Sequence, residues 1–408
     1  MYIYRHIAKV IERQRRKKKV IILTGPRQAG KSTMLKTVLK PSGVSYISLD
    51  NPTVRTNALE SPSKFFEINK PPLIIDEIQK APMLLEYIKE IVDESEMTGQ
   101  FYLTGSQSFR LMKNVTESLA GRAGIVNMIG LSLREINNVE YSKTFKPVTE
   151  HFDAMRKAPK ASDIEEIIHR GSFPELYQTE HNLEEWSDYY SSYLQSYIEK
   201  DVREITNIQN MSAFIKFTKA VASISGEQLS YTTLAEFCGM DVNTTKRWVS
   251  ILETSGLVYL LQPYYNNYNK RLVKTPKIYL LDTGLLCYLS GWNTPQQLVS
   301  GARWGHIFET FVVGEIIKGY YNDGKTLLNL YYYRDKEKNE VDLVIEEGDM
   351  LYPIEIKTTG DPVKSMIKGV EALKNIPGKN VADGALICFA KTLMPLTDNV
   401  TAAPVWMV

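Results

Sequence analysis

The stretch Gly25-Pro-Arg-Gln-Ala-Gly-Lys-Ser-Thr33 follows the apolar run Val20-Ile-Ile-Leu23 and completes the pattern G-x-x-x-x-G-K-[ST]. A strand that stops at Gly25 and restarts as a helix near Lys31 turns several backbone N–H groups inward, and the helix N-terminus adds partial positive charge. The spacing therefore predicts a phosphate cradle made of Gly25, Pro26, Arg27, Gln28, Ala29, Gly30, Lys31, Ser32 and Thr33. Lys31 is expected on the β- and γ-phosphates of ATP. Ser32 or Thr33 would give a hydroxyl to Mg2+, with Ser32 preferred because it directly follows the lysine.

A second element is needed, since a glycine-bearing turn can fit this pattern by accident. Leu73-Ile-Ile-Asp-Glu77 supplies it. Three apolar residues ending in acids read as a buried parallel strand, from which Asp76 reaches the Mg2+ shell and Glu77 orients the attacking water. A third strand, Phe101 to Thr104, ends at Gly105-Ser106-Gln107. Ser106 or Gln107 would lie near the γ-phosphate, or the segment is a plain polar turn. Arg122, between glycines beyond that strand, is either an arginine finger acting across a subunit boundary in a homo-oligomer or an ordinary surface arginine.

At 408 residues the chain has room for several domains, and 43% apolar with 24% charged residues describes a globular protein. A formal charge of +2 confines any nucleic-acid surface to a local patch. The basic run Arg13-Gln-Arg-Arg-Lys-Lys-Lys19 is one such patch or a solvated helix end. Cys238, Cys287 and Cys388 lack metal spacing and read as buried thiols. With neither a signal pattern nor a run of membrane-spanning length, the expectation is a cytoplasmic protein with no membrane partner.

Strands alternate with helical patterns from about residue 20 to about residue 135, as in a parallel α/β domain. Val44 to Leu49 is the expected second strand. Beyond Leu133 the pattern turns helical, and Trp186, Tyr189, Tyr190, Tyr193 and Tyr197 form a stripe at helical spacing. The stripe reads as core or domain interface, with a base-stacking platform as the alternative. Tyr231 to Phe237, the turn at Gly239-Met-Asp241 and Val242 to Thr254 read as helix-turn-helix, and Gly256 to Leu261 as a following strand. Asn243, Thr244, Lys246 and Arg247 stand near the start of the second helix, where a DNA-reading helix presents its side chains; the same module also serves for packing.

The last third carries a carboxylate constellation. Glu340 to Ile345 and Leu351 to Thr358 alternate in polarity around Glu347-Gly-Asp-Met350, which predicts a β-hairpin. A loop centred on Gly348 and Asp349 puts Asp342 across from Glu355 with Cβ atoms about 5 Å apart, close enough to share Mg2+ or Mn2+. Lys357 shares the face of Glu355, while Val341, Leu343, Ile354 and Ile356 turn to the other. The helical pattern from Trp304 to Glu315 would bring Glu309 to the same cation. Two carboxylates, a lysine and a helical glutamate are what metal-dependent phosphodiester cleavage requires. A simple cross-strand ion pair between Glu340 and Lys357 is the alternative.

These residues together resemble the bacterial and archaeal ATPases that join an AAA-type P-loop module to a C-terminal domain of unknown function with a restriction-endonuclease-like core. The resemblance lies in Gly25 to Thr33, Ile74 to Ile78, Leu103 to Ser106, Leu119 to Arg122, Lys277 to Leu286, Gly305 to Glu309, and the set Asp342, Glu355 and Lys357. It implies an α/β multidomain protein: an ATPase domain over 1–135, a helical domain over 136–225, a winged helix over 226–268 and a nuclease-like α/β domain over 269–408. The expectation is an ATP-hydrolysing protein acting on nucleic acid, DNA before RNA, with a nuclease-like domain under nucleotide control. The alternative is a nucleotide-switched DNA- or protein-binding scaffold without cleavage. A small-molecule kinase is disfavoured because no acceptor domain is recognisable.

Overall fold

The computed structural model describes residues 2–105, 118–197, 211–265 and 274–408. Its first layer is built from α1 (Ala8–Arg15), β1 (Val20–Thr24), α2 (Lys31–Leu39), β2 (Ser45–Ser48), α3 (Pro52–Glu60), α4 (Pro62–Ile68), β3 (Leu73–Asp76), α5 (Leu84–Asp93), β4 (Phe101–Thr104) and β5 (Ala123–Asn127). All five strands are parallel, in the order β2-β3-β4-β1-β5. Crossovers from β1 to β2 and from β3 to β4 run in opposite directions, so right-handed connections put helices on both faces. Ile21 and Leu23 accordingly pack with Met34 and Leu35 of α2, whereas Val20 and Ile22 pack with Phe65, Leu84 and Ile88 from the other side. This explains why β1, β3 and β4 are buried apolar runs without alternation.

Next come α6 (Leu133–Ile136), α7 (Thr149–Arg156), α8 (Ile164–Arg170) and α9 (Leu183–Tyr197). A capping box between Ser132 and Glu135 starts α6. On α9 the aromatic stripe is core: Trp186, Tyr190, Tyr193 and Tyr197 are buried and Tyr189 packs against them. Tyr190 also donates to Asp282 Oδ1 at 2.7 Å, and the same carboxylate accepts from Ser172 N and Leu285 N, each at 2.7 Å. One buried acid thus fastens the helical part to the segment that follows.

That segment begins with α10 (Met211–Ser223), β6 (Glu227–Gln228), α11 (Tyr231–Cys238), α12 (Val242–Thr254), β7 (Val258–Pro263) and β8 (Lys277–Leu280). Ser230 caps α11, Gly239 closes it with a left-handed C-cap and Asp241 starts α12. β8 pairs antiparallel with both β7 and β6. Contacts cross two of the expected limits. The 268/269 limit cuts the β7–β8 hairpin, and the 225/226 limit removes α10, although Phe214 and Phe217 stack edge-on against Trp248 of α12 at 5.1 and 5.3 Å. Local patterning could not reveal a return strand separated from its partner by a long connection.

The chain ends with α13 (Thr283–Ser290), α14 (Pro295–Ser300), α15 (Trp304–Asn322), β9 (Leu330–Arg334), β10 (Glu340–Glu347), β11 (Met350–Ile356), α16 (Lys368–Leu373), β12 (Asn380–Val381), β13 (Gly384–Cys388), β14 (Met394–Pro395) and β15 (Val400–Pro404). Antiparallel β9-β10-β11 continues through parallel β13 and β15, while β7 joins β9 in parallel. The helix-turn-helix hairpin and the C-terminal sheet therefore form one surface, against which the apolar α15 packs. Cys238, Cys287 and Cys388 are buried and unpaired. Among the described residues no helix is long and apolar enough to cross a membrane.

Candidate functional site

Two constellations emerge, one on each sheet. The first sits at the carboxyl end of β1, where the backbone turns sharply. Gly25 has φ of 138°, and a Cβ there would lie 1.8 Å from the Met128 carbonyl oxygen, so only glycine fits. Lys31 opens α2 and folds back, its Nζ donating to the carbonyls of Gly25 at 2.9 Å and Pro26 at 2.7 Å. Ser32 Oγ donates to Asp76 Oδ1 at 2.7 Å. Thr104 donates to the same oxygen, and Tyr46 to Asp76 Oδ2 at 2.8 Å. Burial, reinforced by the Asp76 carboxylate, pushes the Tyr46 phenol well above its ordinary range.

This arrangement fits Mg2+ and a nucleotide phosphate chain. Ser32 and Asp76 already share a hydrogen bond at the place a hard cation would take, and Lys31 satisfies its ammonium group on loop carbonyls that a phosphate can replace. Glu77 follows Asp76 with a left-handed backbone, φ 57°, and hydrogen-bonds Gln79. Burial raises the Glu77 carboxyl above its ordinary value.

Arg5 also belongs to this site, although its position twenty residues before the loop gives no local signal. Buried, it donates to the carbonyls of Ala29 and Ile129, each at 2.7 Å, and pairs with Glu135 at 3.2 Å. Burial pushes the Glu135 carboxyl up, but Arg5, then His6 and two backbone amides, outweigh it and hold the group below its ordinary value. Thr104 was legible in principle, as the polar residue closing an apolar strand. Ser106 and Gln107 lie outside the described residues.

Arg122 is placed elsewhere. Its carbonyl accepts from Val20 N at 3.3 Å, so it stands at the amino-terminal edge of the sheet, about 16 Å along β1 from Gly25 at roughly 3.3 Å per residue. Its guanidinium pairs with Asp93 at 2.5 and 2.7 Å. Within one chain Arg122 is therefore not an arginine finger, because the parallel strand carries it to the opposite end. The basic run is also engaged internally: Arg13 donates to Asp323 O at 2.8 Å and Lys19 to Val92 O at 2.7 Å.

The second constellation is on β10, β11, β8 and α15. The hairpin keeps the expected register from Glu347↔Met350 to Leu343↔Ile354, which leaves Asp342 and Glu355 as the next pair. Lys357 Nζ bridges them, 3.0 Å from Asp342 Oδ2 and 3.1 Å from Glu355 Oε2. Asp342 Oδ2 also accepts from Ile356 N at 2.8 Å. A bulge between Val341 and Val344 on the β9 side corrects one expectation: Val341 packs with Val344 and Leu351, apart from Leu343.

Glu340 does not pair with Lys357. It binds Lys277 at 2.7 Å and Arg334 at 3.4 Å. Lys277 also holds Glu309 Oε1 at 2.9 Å, and Tyr279 donates to that oxygen at 2.7 Å. Burial and the Asp342 charge raise Glu309 to about 7, and the same two causes raise Glu355 to about 9. For both lysines burial opposes the charge, but the neighbouring carboxylates outweigh it and lift them above their ordinary range. The expected three-carboxylate metal site is thus not assembled. Glu309 is drawn to Lys277, and among the described residues no three His, Cys, Asp or Glu side chains come together to hold a metal ion. Lys277 and Tyr279 escaped the sequence reading because they belong to the preceding hairpin.

The two constellations are joined through the middle of the chain. At Gly256, just beyond α12, φ is +75° and an added Cβ would stand 3.2 Å from Pro26 Cδ, so the helix-turn-helix touches the P-loop directly. On α12 itself Asn243, Lys246 and Arg247 are exposed and Thr244 half-buried, while Trp248, Ile251 and Leu252 face inward.

Residues 17–137 match the model of a family described as an AAA domain, and residues 161–296 and 304–408 match two families each described as a domain of unknown function. The uncharacterized protein Rv2008c of Mycobacterium tuberculosis is 28% identical over 392 residues, covering 94% of this chain and 80% of the relative. An uncharacterized protein of Methanocaldococcus jannaschii is 26% identical over 326 residues, covering 72% of this chain and 67% of the relative. Among solved structures, a Walker-type ATPase of Pyrococcus abyssi superposes with a TM-score of 0.44 at 14% identity, over 69% of this chain and 94% of that one. The RuvB Holliday junction branch migration motor of Thermotoga maritima gives 0.29 at 15% identity, over 62% and 88%. The P-loop of this chain, the parallel strand order of its first sheet and the match over residues 17–137 together support a P-loop fold of the AAA type for its first part.

Proposed function

We propose that the chain binds and hydrolyses ATP with Mg2+ and acts on nucleic acid, DNA before RNA. The observation that carries the ATP reading is the contact of Ser32 Oγ with Asp76 Oδ1 beside the folded-back Lys31. In this reading the amides of Gly25 to Thr33 and the Lys31 ammonium receive the phosphates, Ser32 and Asp76 hold the cation, and Glu77 orients the water. Mg2+, when bound, supplies charge neutralisation at the transferred phosphoryl group.

The middle of the chain, from α10 to β8, is read as a winged helix, and the row Asn243, Lys246 and Arg247 as its DNA-facing surface. The contact of Gly256 with Pro26 would let nucleotide state reach this module. The mixed sheet from β9 to β15 is read as the nuclease-like domain, with Asp342, Glu355 and Lys357 at its site. A second reading, a nucleotide-switched binding protein that cuts nothing, is favoured by the way Lys277 and Lys357 already neutralise the carboxylates.

Both readings are tested by incubating the wild type, Lys31→Ala and Asp342→Ala with single- and double-stranded DNA and RNA, with and without ATP, in Mg2+ or Mn2+. Normal ATP turnover by Lys31→Ala would refute the ATP site. Cutting by the wild type but not Asp342→Ala establishes the nuclease; intact turnover with no cutting anywhere establishes the binding protein.

A further inference from the structure

Glu77 leaves β3 by an uncommon route. Its φ of 57° is a left-handed conformation that residues other than glycine rarely adopt, and it turns the chain at once into the short 3-10 turn Ile78–Lys80. Lys80 N donates to Glu77 O and Ala81 N to Ile78 O, each at 3.0 Å, and these bonds close the turn. Its three side chains are then pinned in three directions. Ile78 is buried in the core with Leu84 and Ile88, Lys80 reaches out to Asp50, and Gln79 folds back so that its Nε2 donates to Glu77 Oε2.

The Gln79 carboxamide is only half satisfied. Its N–H end is engaged by Glu77, whereas its Oε1 is buried without a hydrogen-bond partner. Turning the amide over is no remedy, because that would set oxygen against oxygen. A buried acceptor without a partner is destabilising, and so is a left-handed backbone at a residue with a side chain; both are found here beside the nucleotide site. Asp76, the residue before Glu77, accepts from Ser32 and Thr104, and the charges of Lys31 and Arg27 act on the Glu77 carboxyl. Gln79 is thus placed for what its N–H does to Glu77, although its own carbonyl is left unpaired.

We propose that Gln79 is a positioning residue for ATP hydrolysis, which holds the Glu77 carboxylate in the orientation that presents it to the attacking water. It acts through Glu77 and not on the nucleotide. The inference rests on the reading of Glu77 as the water-orienting group.

The test compares the full chain as wild type, Gln79→Met, Gln79→Ala, Glu77→Gln and Gln79→Met combined with Glu77→Gln. It measures hydrolysis of labelled ATP in steady state and in single turnover, ATP affinity by calorimetry, and thermal melting without nucleotide. Methionine keeps the length of the side chain and removes both ends of the amide, the orphaned oxygen included. Gln79→Met should therefore melt at or above the wild-type temperature. Its ATP affinity should stay within about twofold while kcat falls about tenfold, the size of one hydrogen bond to a charged group. In the Glu77→Gln background the same substitution should change nothing further, because its effect passes through Glu77. Should methionine pack poorly, Gln79→Ala carries the same kcat expectation. An unchanged kcat in both Gln79 variants, a loss confined to ATP affinity, or an undiminished further loss in the Glu77→Gln background overturns the role of Gln79 and leaves that of Glu77 standing. Wild-type turnover by Glu77→Gln overturns the reading of Glu77 and the inference with it.

Discussion

Ser32 Oγ, in the first turn of α2, stands 2.7 Å from Asp76 Oδ1 at the end of β3, although β4 lies between β3 and the β1 that leads into α2. Thr104, at the end of that intervening strand, donates to the same Asp76 oxygen. Two strand ends and the first turn of α2 thus converge on one carboxylate, and the hydroxyl-rich nest fixes its rotamer.

Asp76→Ala should therefore leave the fold standing and abolish turnover. The expected loss in ATP hydrolysis is at least about 100-fold, comparable to removing one preorganised electrostatic group. Phosphate release measured alongside nucleotide affinity checks it; turnover within a few-fold of the wild type would place the cation elsewhere.

Arg5→Ala should act on stability as well as on nucleotide binding. It leaves the buried Glu135 carboxylate without its guanidinium and frees the Ala29 carbonyl of the loop. Breaking a buried pair of this kind costs about 3–5 kcal/mol. Denaturant titration should show that loss, and Glu135→Gln combined with Arg5→Ala should recover part of it.

The carboxylate site predicts a pH dependence with a definite sign. Glu355 titrates near 9 in the folded chain against an ordinary value of 4.5, so folding takes up a proton between these limits. The stability this contributes is complete below pH 4.5 and is lost as pH rises towards 9. Glu355→Gln, permanently neutral, should lose less stability than the wild type between about pH 6 and pH 9. Equal slopes in urea titrations at several pH values would mean that Glu355 is ionised throughout.

The exposed row on α12 predicts a salt signature. If Lys246 and Arg247 each neutralise one phosphate, Lys246→Ala with Arg247→Ala should weaken DNA binding uniformly across sequences. The slope of log K against log salt should shrink by about 1.8. An unchanged slope in fluorescence anisotropy titrations would make α12 a packing helix.

The P-loop, the acid-ending strand and the 342–357 hairpin were legible because each is local: a fixed spacing, an apolar run, an alternation about a turn. The register that sets Asp342 against Glu355 follows from loop symmetry alone, and the bulge at Val341 falls on the side of β10 where it does no harm to it. For the α9 stripe, helical spacing of large aromatics offered a core face as the first reading, and burial in the folded chain decided it against a stacking platform.

Tertiary structure decided the rest. Arg5 is 130 residues from Glu135 and Lys277 is 32 from Glu309, and no periodicity links residues so far apart. The choice between a finger and a surface arginine at Arg122 could not be made from its glycine-flanked setting, and within one chain the parallel pairing of β5 with β1 carries it to the end of the sheet away from the P-loop. β8 packs beside α15 as β11 does, and Glu309 joins Lys277 and Tyr279 because those two side chains of β8 reach its carboxylate. Residue types and local spacing fix which chemistry a chain can perform, because they set the reach of each backbone turn. Which charges end up paired is settled by long-range packing, because buried ions take the nearest partner that the folded sheet presents.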